Sequence, residues 1–306
     1  MKVFHALASE PTLRAPAVCL GNFDGVHLGH QALLAKAKSL GPCAALTFDP
    51  HPGKVLQPSL APKLINTLAR KLELLAEYGA DAVFIQAFTL AYARTPPEAF
   101  ESALLDTVGA KHLVIGSDFT YGALRAGTPE TLGVACEKRG ARLHVVAPVT
   151  RDGVVVHSSK IREYLLEGRL EAAQHLLGHG FDLDGVVVKG LGRGRTIGFP
   201  TANVETQNEL RPAPGVYAVR VRVNAAGAWL PGAANLGVKP TFGGSEVTLE
   251  VHLMDFSGDL YGHTLRVQFL EQLRPEMRFA SVEALSAQIL KDTAAARVVI
   301  ARHQAR

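Results

Sequence analysis

Two histidines, His27 and His30, stand three residues apart where a helix is predicted to begin, in the stretch GNFDGVHLGHQALLAKAKSL of residues 21–40. Their spacing places both imidazoles on one face of the first helical turn. The preceding glycines, Gly21 and Gly25, allow the backbone to approach a ligand closely. The start of a helix offers free N–H groups and a positive dipole end to phosphate. Two imidazoles in this position can bracket a phosphate and stabilise the charge that develops on it.

Other interpretations of this HxxH pair remain open at the level of its residues. An arbitrary HxxH is more often a pair of surface or half-buried histidines. A zinc site would need further ligands, and no third ligand is obvious nearby. The stretch contains neither the GxxxxGK[ST] pattern of a P-loop nor the GxGxxG pattern of a dinucleotide-binding fold.

A second glycine-rich stretch, GVVVKGLGRGRTIGFPTANV, covers residues 185–204. Its backbone amides and its arginines can cover phosphates, and the oxygens of Thr201 and Asn203 suit Mg²⁺ bridged to ATP. A hairpin turn with solvated arginines would have a similar composition. The loop residues concerned are Gly190, Gly192, Arg193, Gly194 and Arg195.

Two shorter segments add candidate ligand contacts. In SSKIR, Ser158 or Ser159 is expected to cap a helix whose N-terminus, together with Arg162, would receive a polyphosphate. In FDPHP, two prolines fix a rigid exit from a strand and present Asp49 at its carboxyl end. An ordinary capped helix with an exposed arginine and a rigid structural turn would explain the same residues.

The pattern of apolar residues predicts two domains, at residues 1–182 and 183–306. In the first half, short apolar runs alternate with segments of helical period, which indicates a parallel α/β sheet with strands buried on both faces. After residue 185, runs rich in Val and Thr alternate with period two between Gly and Pro turns, which indicates an antiparallel barrel or sandwich. A last helix is predicted from about Ser281, with that serine as its N-cap.

Composition limits the classes of function. The 306 residues are 47% hydrophobic and carry a formal charge of +4 without a Lys/Arg block, which permits phosphate ligands and does not favour nucleic acid. Three cysteines without a CxxC pair fit a reducing cytoplasm. Since the sequence has no signal peptide and no long apolar run, we expect no membrane partner. The expected protein is cytoplasmic, acts on small molecules, and is a monomer or a weak homo-oligomer.

The complete strings are more specific than their parts. The first half resembles the adenylyltransferase part of the bacterial bifunctional riboflavin kinase/FAD synthetase family in four strings that follow the family's order: HLGH (27–30), TFDPHP (47–52), IGSDFTYG (115–122) and HSSKIREYLLEGRLEAAQHLLG (157–178). The second half resembles the riboflavin kinase part of that family in GRTIGFPTAN (194–203) and LRPEMRF (273–279). The resemblance implies a Rossmann-like nucleotidylyltransferase domain with a parallel sheet, followed by a riboflavin-kinase-type antiparallel β-barrel with a terminal helix.

The same resemblance implies two activities. The second domain would phosphorylate riboflavin to FMN, and the first would adenylylate FMN to FAD with release of pyrophosphate. ATP would be the co-substrate and Mg²⁺ the metal ion in both steps. An alternative is a riboflavin kinase whose N-terminal domain only binds flavin or nucleotide.

In the first domain the resemblance assigns His27, His30 and Arg162 as catalytic residues. Their expected effect is to stabilise the transferred group and the leaving charge. Contacts to ATP and its phosphates are expected from Gly21, Asn22, Phe23, Asp24, His27, His30, Ser158, Ser159 and Arg162. Contacts to the flavin are expected from Asp49, Asp118 and Phe119.

In the second domain the resemblance makes Glu250 the base that takes a proton from the ribityl 5'-hydroxyl. Strand alternation places Glu250 on the face opposite Leu249 and Val251, and hence outside the apolar core. ATP contacts are expected from Gly190, Gly194, Arg195, Thr201 and Asn203, the last two with Mg²⁺. Flavin contacts are expected from Asn235, Arg274 and Phe279.

The chain departs from the family pattern at one place beside the expected flavin site. Where the family usually has DFRFG, this sequence has Thr120 and Tyr121 in the string DFTYG. The departure predicts an altered affinity or preference at the flavin end of the first domain.

Overall fold

The computed structural model of the chain describes residues 1–7, 16–190, 198–224, 227–241 and 244–304. By their internal contacts, the residues of the chain group into two compact units, 1–158 and 159–306. The domain boundary at 182/183 remains a prediction. No described helix is long and apolar enough to cross a membrane.

The first unit contains a six-stranded parallel sheet. Its strands are β1 (Lys2–Phe4), β2 (Ala17–Leu20), β3 (Cys43–Asp49), β4 (Ala82–Ala87), β5 (His112–Gly116) and β6 (Arg142–Val146). They lie in the order β1-β4-β3-β2-β5-β6, and every neighbouring pair is parallel. The parallel α/β sheet predicted for the first half is confirmed. A separate hairpin pairs β7 (Thr150–Arg151) with β8 (Val154–Val155).

Helices cover both faces of the sheet. They are α1 (Leu28–Lys38), α2 (Pro52–Leu56), α3 (Leu68–Glu77), α4 (Pro97–Ser102) with its π-helical continuation Ala103–Thr107, and α5 (Pro129–Lys138), besides 3₁₀ turns at Pro58–Leu60, Tyr92–Arg94 and Ala123–Arg125. Alternate residues of β2 belong to two different cores: Ala17 and Cys19 pack with apolar residues of α1 and α3, and Val18 and Leu20 pack with residues of α4 and α5. Burial on both faces explains why this strand is apolar throughout.

The strand order reverses beside β2. From β2 the chain adds β3 and β4 on one side, and then returns to add β5 and β6 on the other. In open α/β sheets, ligands bind outside the carboxyl ends of the strands at such a reversal. The segments that follow β2, β3 and β5 are therefore the ones that fold topology places at a ligand.

The second unit is built on a closed antiparallel barrel. Its strands are β9 (Phe181–Val188), β10 (Ala202–Thr206), β11 (Gly215–Val223), β12 (Leu230–Thr241), β13 (Gly244–Leu253) and β14 (Thr264–Arg274). They close in the order β10-β13-β12-β11-β14-β9, with all six pairs antiparallel. The antiparallel barrel predicted for the second half is confirmed. On β13, Leu249, Val251 and Leu253 are buried, as alternation predicts.

Among the described residues, three helices complete this unit: α6 (Ser158–Leu166), which begins at the last residue of the first unit, α7 (Leu170–Leu177) and α8 (Val282–Gln304). The predicted terminal helix is confirmed as α8. Ser281 acts as its cap, since its hydroxyl accepts a hydrogen bond from the Ala284 backbone N–H at 3.2 Å. Val299 and Ile300 of α8 pack against Ala218 and Leu270 on the barrel's outer face.

A largely buried ion pair fastens α8 to β14. The Arg274 guanidinium donates from Nε to Asp292 Oδ1 at 3.0 Å and from Nη2 to Oδ2 at 2.7 Å. Gln288 donates to the same carboxylate at 2.8 Å. The side chains of Arg274 and Asp292 are only 15% and 8% exposed. A buried carboxylate with this many donors stabilises the fold only while its partners remain.

We expect Asp292→Asn to destabilise the barrel by about 3–5 kcal/mol, because it leaves the Arg274 charge buried without its counter-ion. The chain's one tryptophan, Trp229, reports barrel unfolding by fluorescence in urea. The matched control is Asp255→Asn, which breaks an ion pair of α8 with Arg297 whose side chains are 50% and 67% exposed. That change should have a much smaller effect, because solvent screens an exposed ion pair. Equal unfolding midpoints for the two variants would contradict the role of the buried pair.

Candidate active sites

The turn between β2 and α1 has an unusual backbone. Phe23, Gly25 and Val26 have positive φ angles of 51°, 84° and 40°. For residues other than glycine this conformation costs about 1–3 kcal/mol and persists only where the surroundings impose it. Phe23 and Val26 are fully buried in the core of the first unit, so packing supplies that constraint. The turn spanning residues 21–26, for which the sequence predicts phosphate contacts, is called the phosphate turn below.

The two histidines form a stacked pair at the start of α1. Their ring centroids are 3.7 Å apart with an interplanar angle of 18°, and the Phe23 ring lies 5.1 Å from His30 on a tilted plane. His27 is the N-cap of α1, and its Nδ1 accepts the His30 backbone N–H at 3.4 Å. A neutral imidazole that accepts at Nδ1 carries its proton on Nε2. The cap therefore fixes the His27 tautomer.

His30 is held in its neutral form. Burial of the ring, then His27 and then Lys71, lower the pKa of His30 well below its usual range. Its Nδ1 has no hydrogen-bond partner among the described residues. This nitrogen is itself buried, and a buried polar atom without a partner is an exception in folded proteins.

Two backbone carbonyls of the phosphate turn accept hydrogen bonds from side chains of the protein. The Asn22 carbonyl accepts hydrogen bonds from Thr47 Oγ1 and Lys71 Nζ, both at 3.0 Å. The Asp24 carbonyl accepts one from Ser158 Oγ at 2.9 Å, and the buried Asp24 carboxylate accepts the Ile65 N–H at 2.9 Å. Sequence reasoning missed Thr47 and Lys71 as parts of this site. The available signal was a lysine on the apolar face of the α3 pattern, three residues after Leu68 and four before Leu75.

Ser158 does not cap its helix in the predicted way. It is the first residue of α6, one position inside the helix, and its hydroxyl donates to the Asp24 carbonyl. The predicted N-cap role at Ser158 or Ser159 is therefore wrong, because both residues lie within the helix. Ser159 and Arg162 follow in α6 and belong to the second unit. Their phosphate contacts remain predictions.

The expected flavin residues lie at or just beyond the carboxyl ends of the two strands that flank β2. Asp49 is the last residue of β3, and Asp118 and Phe119 belong to the loop after β5. Both strands are direct neighbours of β2. Fold topology thus brings these three residues to the same edge of the sheet as the phosphate turn, while their contacts with a flavin stay predictions.

Tyr121, one of the two departures from the family pattern, faces the core. Its ring stacks on Phe119 at 5.9 Å and packs with Phe100 at 5.1 Å. Its hydroxyl donates to the buried Glu101 carboxylate at 2.6 Å. Burial, reinforced by Glu101, raises the pKa of the Tyr121 hydroxyl, so the group stays protonated and donates. The exposed Arg125 donates to the other departure, Thr120, at 2.8 Å.

A second candidate site lies across three strands of the barrel. Asn203 on β10 is directly opposite Glu250 on β13, and Glu250 is directly opposite Asn235 on β12. Residues paired in this way share one face, with Cβ atoms about 4.5–5.5 Å apart. Three residues predicted separately from the sequence therefore form one polar row on the outer face of the barrel.

Close packing explains one of the predicted glycines. A Cβ atom at Gly190 would lie 2.1 Å from Nδ2 of Asn203, so any side chain there would displace the amide. Thr201 lies two residues before Asn203 and lines a cleft with apolar walls that include Val187, Leu253 and Tyr261. The predicted ATP-binding residues Gly194 and Arg195 lie outside the described residues.

At the other end of the row, Arg274 is engaged with Asp292, and its guanidinium lies 5.7 Å from the Phe279 ring centroid. The sequence reasoning missed Glu276, which lies between these two residues in LRPEMRF. A Cβ on Gly237 would meet Glu276 Oε1 at 2.6 Å and Asn235 Nδ2 at 3.2 Å. Glu276 therefore places a second carboxylate beside Asn235. The signal was the string LRPE itself.

Comparisons with known proteins agree with a chain built of two different parts. A family model described as FAD synthetase matches residues 9–160, and one described as riboflavin kinase matches residues 177–300. The bifunctional riboflavin kinase/FMN adenylyltransferase of Escherichia coli K12 is 39% identical over 96% of this chain and 95% of its own. The Bacillus subtilis protein of the same name is 36% identical over 94% and 93%.

A solved structure resembles the whole chain. It is a Streptococcus pneumoniae protein described as a macrolide-efflux protein, with a TM-score of 0.87 and 32% identity, and the match covers 96% of this chain and 98% of that one. The similarity extends over both units.

We expect Tyr121→Phe to destabilise the first unit by about 1–3 kcal/mol, because the buried Glu101 carboxylate loses its hydroxyl donor. Thermal unfolding of the full chain measures the effect. Replacing both partners, in Tyr121→Phe with Glu101→Leu, should recover most of the loss, since no buried polar group is then left unpaired. If the double variant is less stable than the single one, the hydroxyl–carboxylate contact does not account for the buried tyrosine.

Proposed function

The chain belongs to the family of bifunctional riboflavin kinases/FMN adenylyltransferases, and from this membership we propose how it makes FAD in two ATP-dependent steps. The barrel phosphorylates riboflavin to FMN, and the first unit adenylylates FMN to FAD with release of pyrophosphate. One observation carries the division: each half of the family match coincides with a separate polar site, the stacked histidines in one and the Asn203–Glu250–Asn235 row in the other.

In the adenylylation step, an oxygen of the FMN phosphate attacks the α-phosphorus of ATP, and the bond to the pyrophosphate oxygen breaks. Negative charge grows on the leaving pyrophosphate and on the oxygens of the transferred group. Imidazole N–H groups of His27 and His30 donate to these oxygens, and Arg162 adds a guanidinium. No protein group becomes covalently attached. Asp49, Asp118 and Phe119 hold the flavin at the carboxyl ends of the flanking strands.

In the kinase step, the ribityl 5'-hydroxyl of riboflavin attacks the γ-phosphorus of ATP, and ADP leaves. Glu250 accepts the hydroxyl proton. Asn203 and Asn235 flank Glu250 on neighbouring strands and orient the reacting groups. The cleft beside Thr201 receives the nucleotide, and Gly190, Gly194 and Arg195 cover its phosphates. Asn235, Arg274 and Phe279 contact the flavin.

The donor set of the barrel fits Mg²⁺. The Thr201 hydroxyl and the Asn203 amide carbonyl are hard oxygen donors of the type this ion accepts, and the close approach of Gly190 fixes the position of the amide. The ion would neutralise charge on the phosphates of bound ATP. We also propose Mg²⁺ for the adenylylation step.

We further propose a cytoplasmic enzyme of small-molecule substrates, without nucleic-acid or membrane partners, monomeric or weakly self-associating. Three buried cysteines that form no disulfide, Cys19, Cys43 and Cys136, support a reducing compartment. The domains are proposed as residues 1–182 and 183–306.

Product analysis tests the assignment. The purified chain with riboflavin, ATP and Mg²⁺ should form FMN and then FAD by chromatography, with pyrophosphate released in proportion to FAD. Omission of Mg²⁺ should stop both steps. Accumulation of FMN alone, with FMN bound but no pyrophosphate released, would instead identify a riboflavin kinase with a binding-only N-terminal domain.

We expect His30→Ala to slow FAD formation about 100- to 1000-fold, the usual effect of losing one oriented electrostatic contact. Riboflavin phosphorylation should be nearly unchanged, because His30 lies in the first unit. Initial rates of both products measure the split. The control, His112→Ala, lies at the amino end of β5 and should retain both activities. Parallel loss of both products in His30→Ala would contradict the division of labour.

We expect Glu250→Ala to slow riboflavin phosphorylation and to leave the adenylylation of FMN nearly unchanged. Loss of a general base typically slows a reaction about 100- to 10,000-fold, so FMN formation should fall by that order, while FAD formation from added FMN continues. The control is Glu271→Ala, an exposed carboxylate on β14 that pairs with Arg302. Full-rate FMN production by Glu250→Ala would remove Glu250 from the role of base.

A further inference from the structure

A lysine lies buried beneath the phosphate turn. Lys71 of α3 is 4% exposed, a rare fate for this residue type unless it is paired. Its ammonium donates to the Asn22 carbonyl at 3.0 Å and to Thr47 Oγ1 at 3.4 Å. Burying an ammonium carries a large desolvation cost, and burial lowers the pKa of Lys71. The fold retains this charge at a position where a methionine would pack at lower cost.

The contact with Asn22 determines which way the next amide points. In a trans peptide the C=O and the following N–H point in opposite directions. Lys71 and Thr47 hold the Asn22 carbonyl toward the protein, so the N–H of Phe23 points away from them, toward the ligand side of the turn. Phe23 has a φ of 51°, a conformation that needs such support.

The positive charge of Lys71 also acts on ionisable groups in and around the phosphate turn. The ionisable groups that face it are Asp24 of the phosphate turn, Asp49 of β3, Lys54 of α2 and His30 of α1. The two carboxylates favour its charged form. In return, a positive charge offsets two negative charges that would otherwise repel a polyphosphate. Lys71 also opposes protonation of His30.

We propose that Lys71 is a positioning residue of FMN adenylylation, which holds the phosphate turn in its binding conformation and places a fixed positive charge behind it. This inference rests on the adenylyltransferase activity proposed above. Lys71 itself does not touch substrate: it acts through the Asn22 carbonyl and through His30.

Three full-length variants test the proposal. Lys71→Met removes the ammonium and keeps a similar length. Thr47→Val removes the other donor to the Asn22 carbonyl and keeps the charge. Arg70→Met is the control, because Arg70 is a neighbouring buried cation of α3 whose partners include Glu73 and Glu77, and it has no place in the proposed machinery.

We expect Lys71→Met to lower kcat for FAD formation about 10- to 100-fold, as for the loss of a hydrogen bond from a charged group. Thr47→Val should lower it less, and Arg70→Met should leave it within about twofold when rates are corrected for the folded fraction. Riboflavin phosphorylation should be unchanged in all three variants. A corrected FAD rate in Lys71→Met equal to that of Arg70→Met would overturn the proposal.

An NMR titration of the ligand-free chain gives a readout that a merely structural lysine would not move. The His30 signal, assigned by its loss in His30→Gln, should titrate at higher pH in Lys71→Met than in the wild type. Its position should be unchanged in Thr47→Val and Arg70→Met. An unshifted His30 titration in folded Lys71→Met would overturn the electrostatic part.

If Lys71→Met does not fold, Lys71→Arg decides, since it keeps the charge: the His30 titration should stay at its wild-type position, and a shift of that titration to higher pH would overturn the proposal. The two levels of inference also fail separately. A wild-type chain that makes no FAD refutes the adenylyltransferase assignment, whereas normal FAD formation by Lys71→Met refutes only the role of Lys71.

Discussion

A backbone that presents its N–H groups to a ligand must satisfy its carbonyls from the other side. In the first unit this requirement reaches deep into the fold. The carbonyls of Asn22 and Asp24 point into the protein and are met there by a threonine from β3, a lysine from α3 and the first serine of α6. The strained angles at Phe23 and Val26 are tolerated because both side chains are fully buried. The conformation of this turn therefore depends on contacts with both the sheet and the helices.

In the barrel, the polar groups of the candidate site are side chains of regular strands. Pairing across β10, β13 and β12 aligns Asn203, Glu250 and Asn235 in one row, and closure of the barrel fixes the register on which that row depends. One close backbone approach borders this row, at Gly190, where a side chain would strike the Asn203 amide. The polar row of the barrel therefore lies on regular strands, whereas the turn after β2 of the open α/β sheet uses residues with positive φ angles.

Much of this could be predicted from the sequence, because the determinants are local. Period-two alternation identified the buried face of β13, and the serine at position 281 identified the start of α8. The residues that could not be predicted depend on contacts distant along the chain. The position of Lys71 on the apolar face of α3 is visible in the sequence, but its partner, the carbonyl of Asn22, lies 49 residues earlier in the chain. The sequence predicts Ser158 as a helix cap, whereas its hydroxyl donates a hydrogen bond to the backbone carbonyl of Asp24, 134 residues away.

The pair formed by Tyr121 and Glu101 also limits how this loop can evolve. A buried hydroxyl and a buried carboxylate that satisfy each other are tolerable together and costly apart. A lineage that moves between phenylalanine and tyrosine at this position must pass through one unsatisfied partner, or must change both within a short interval. This contact should therefore produce covariation between positions 101 and 121 across the family. The covariation would arise from the buried hydrogen bond and not from a change in flavin binding.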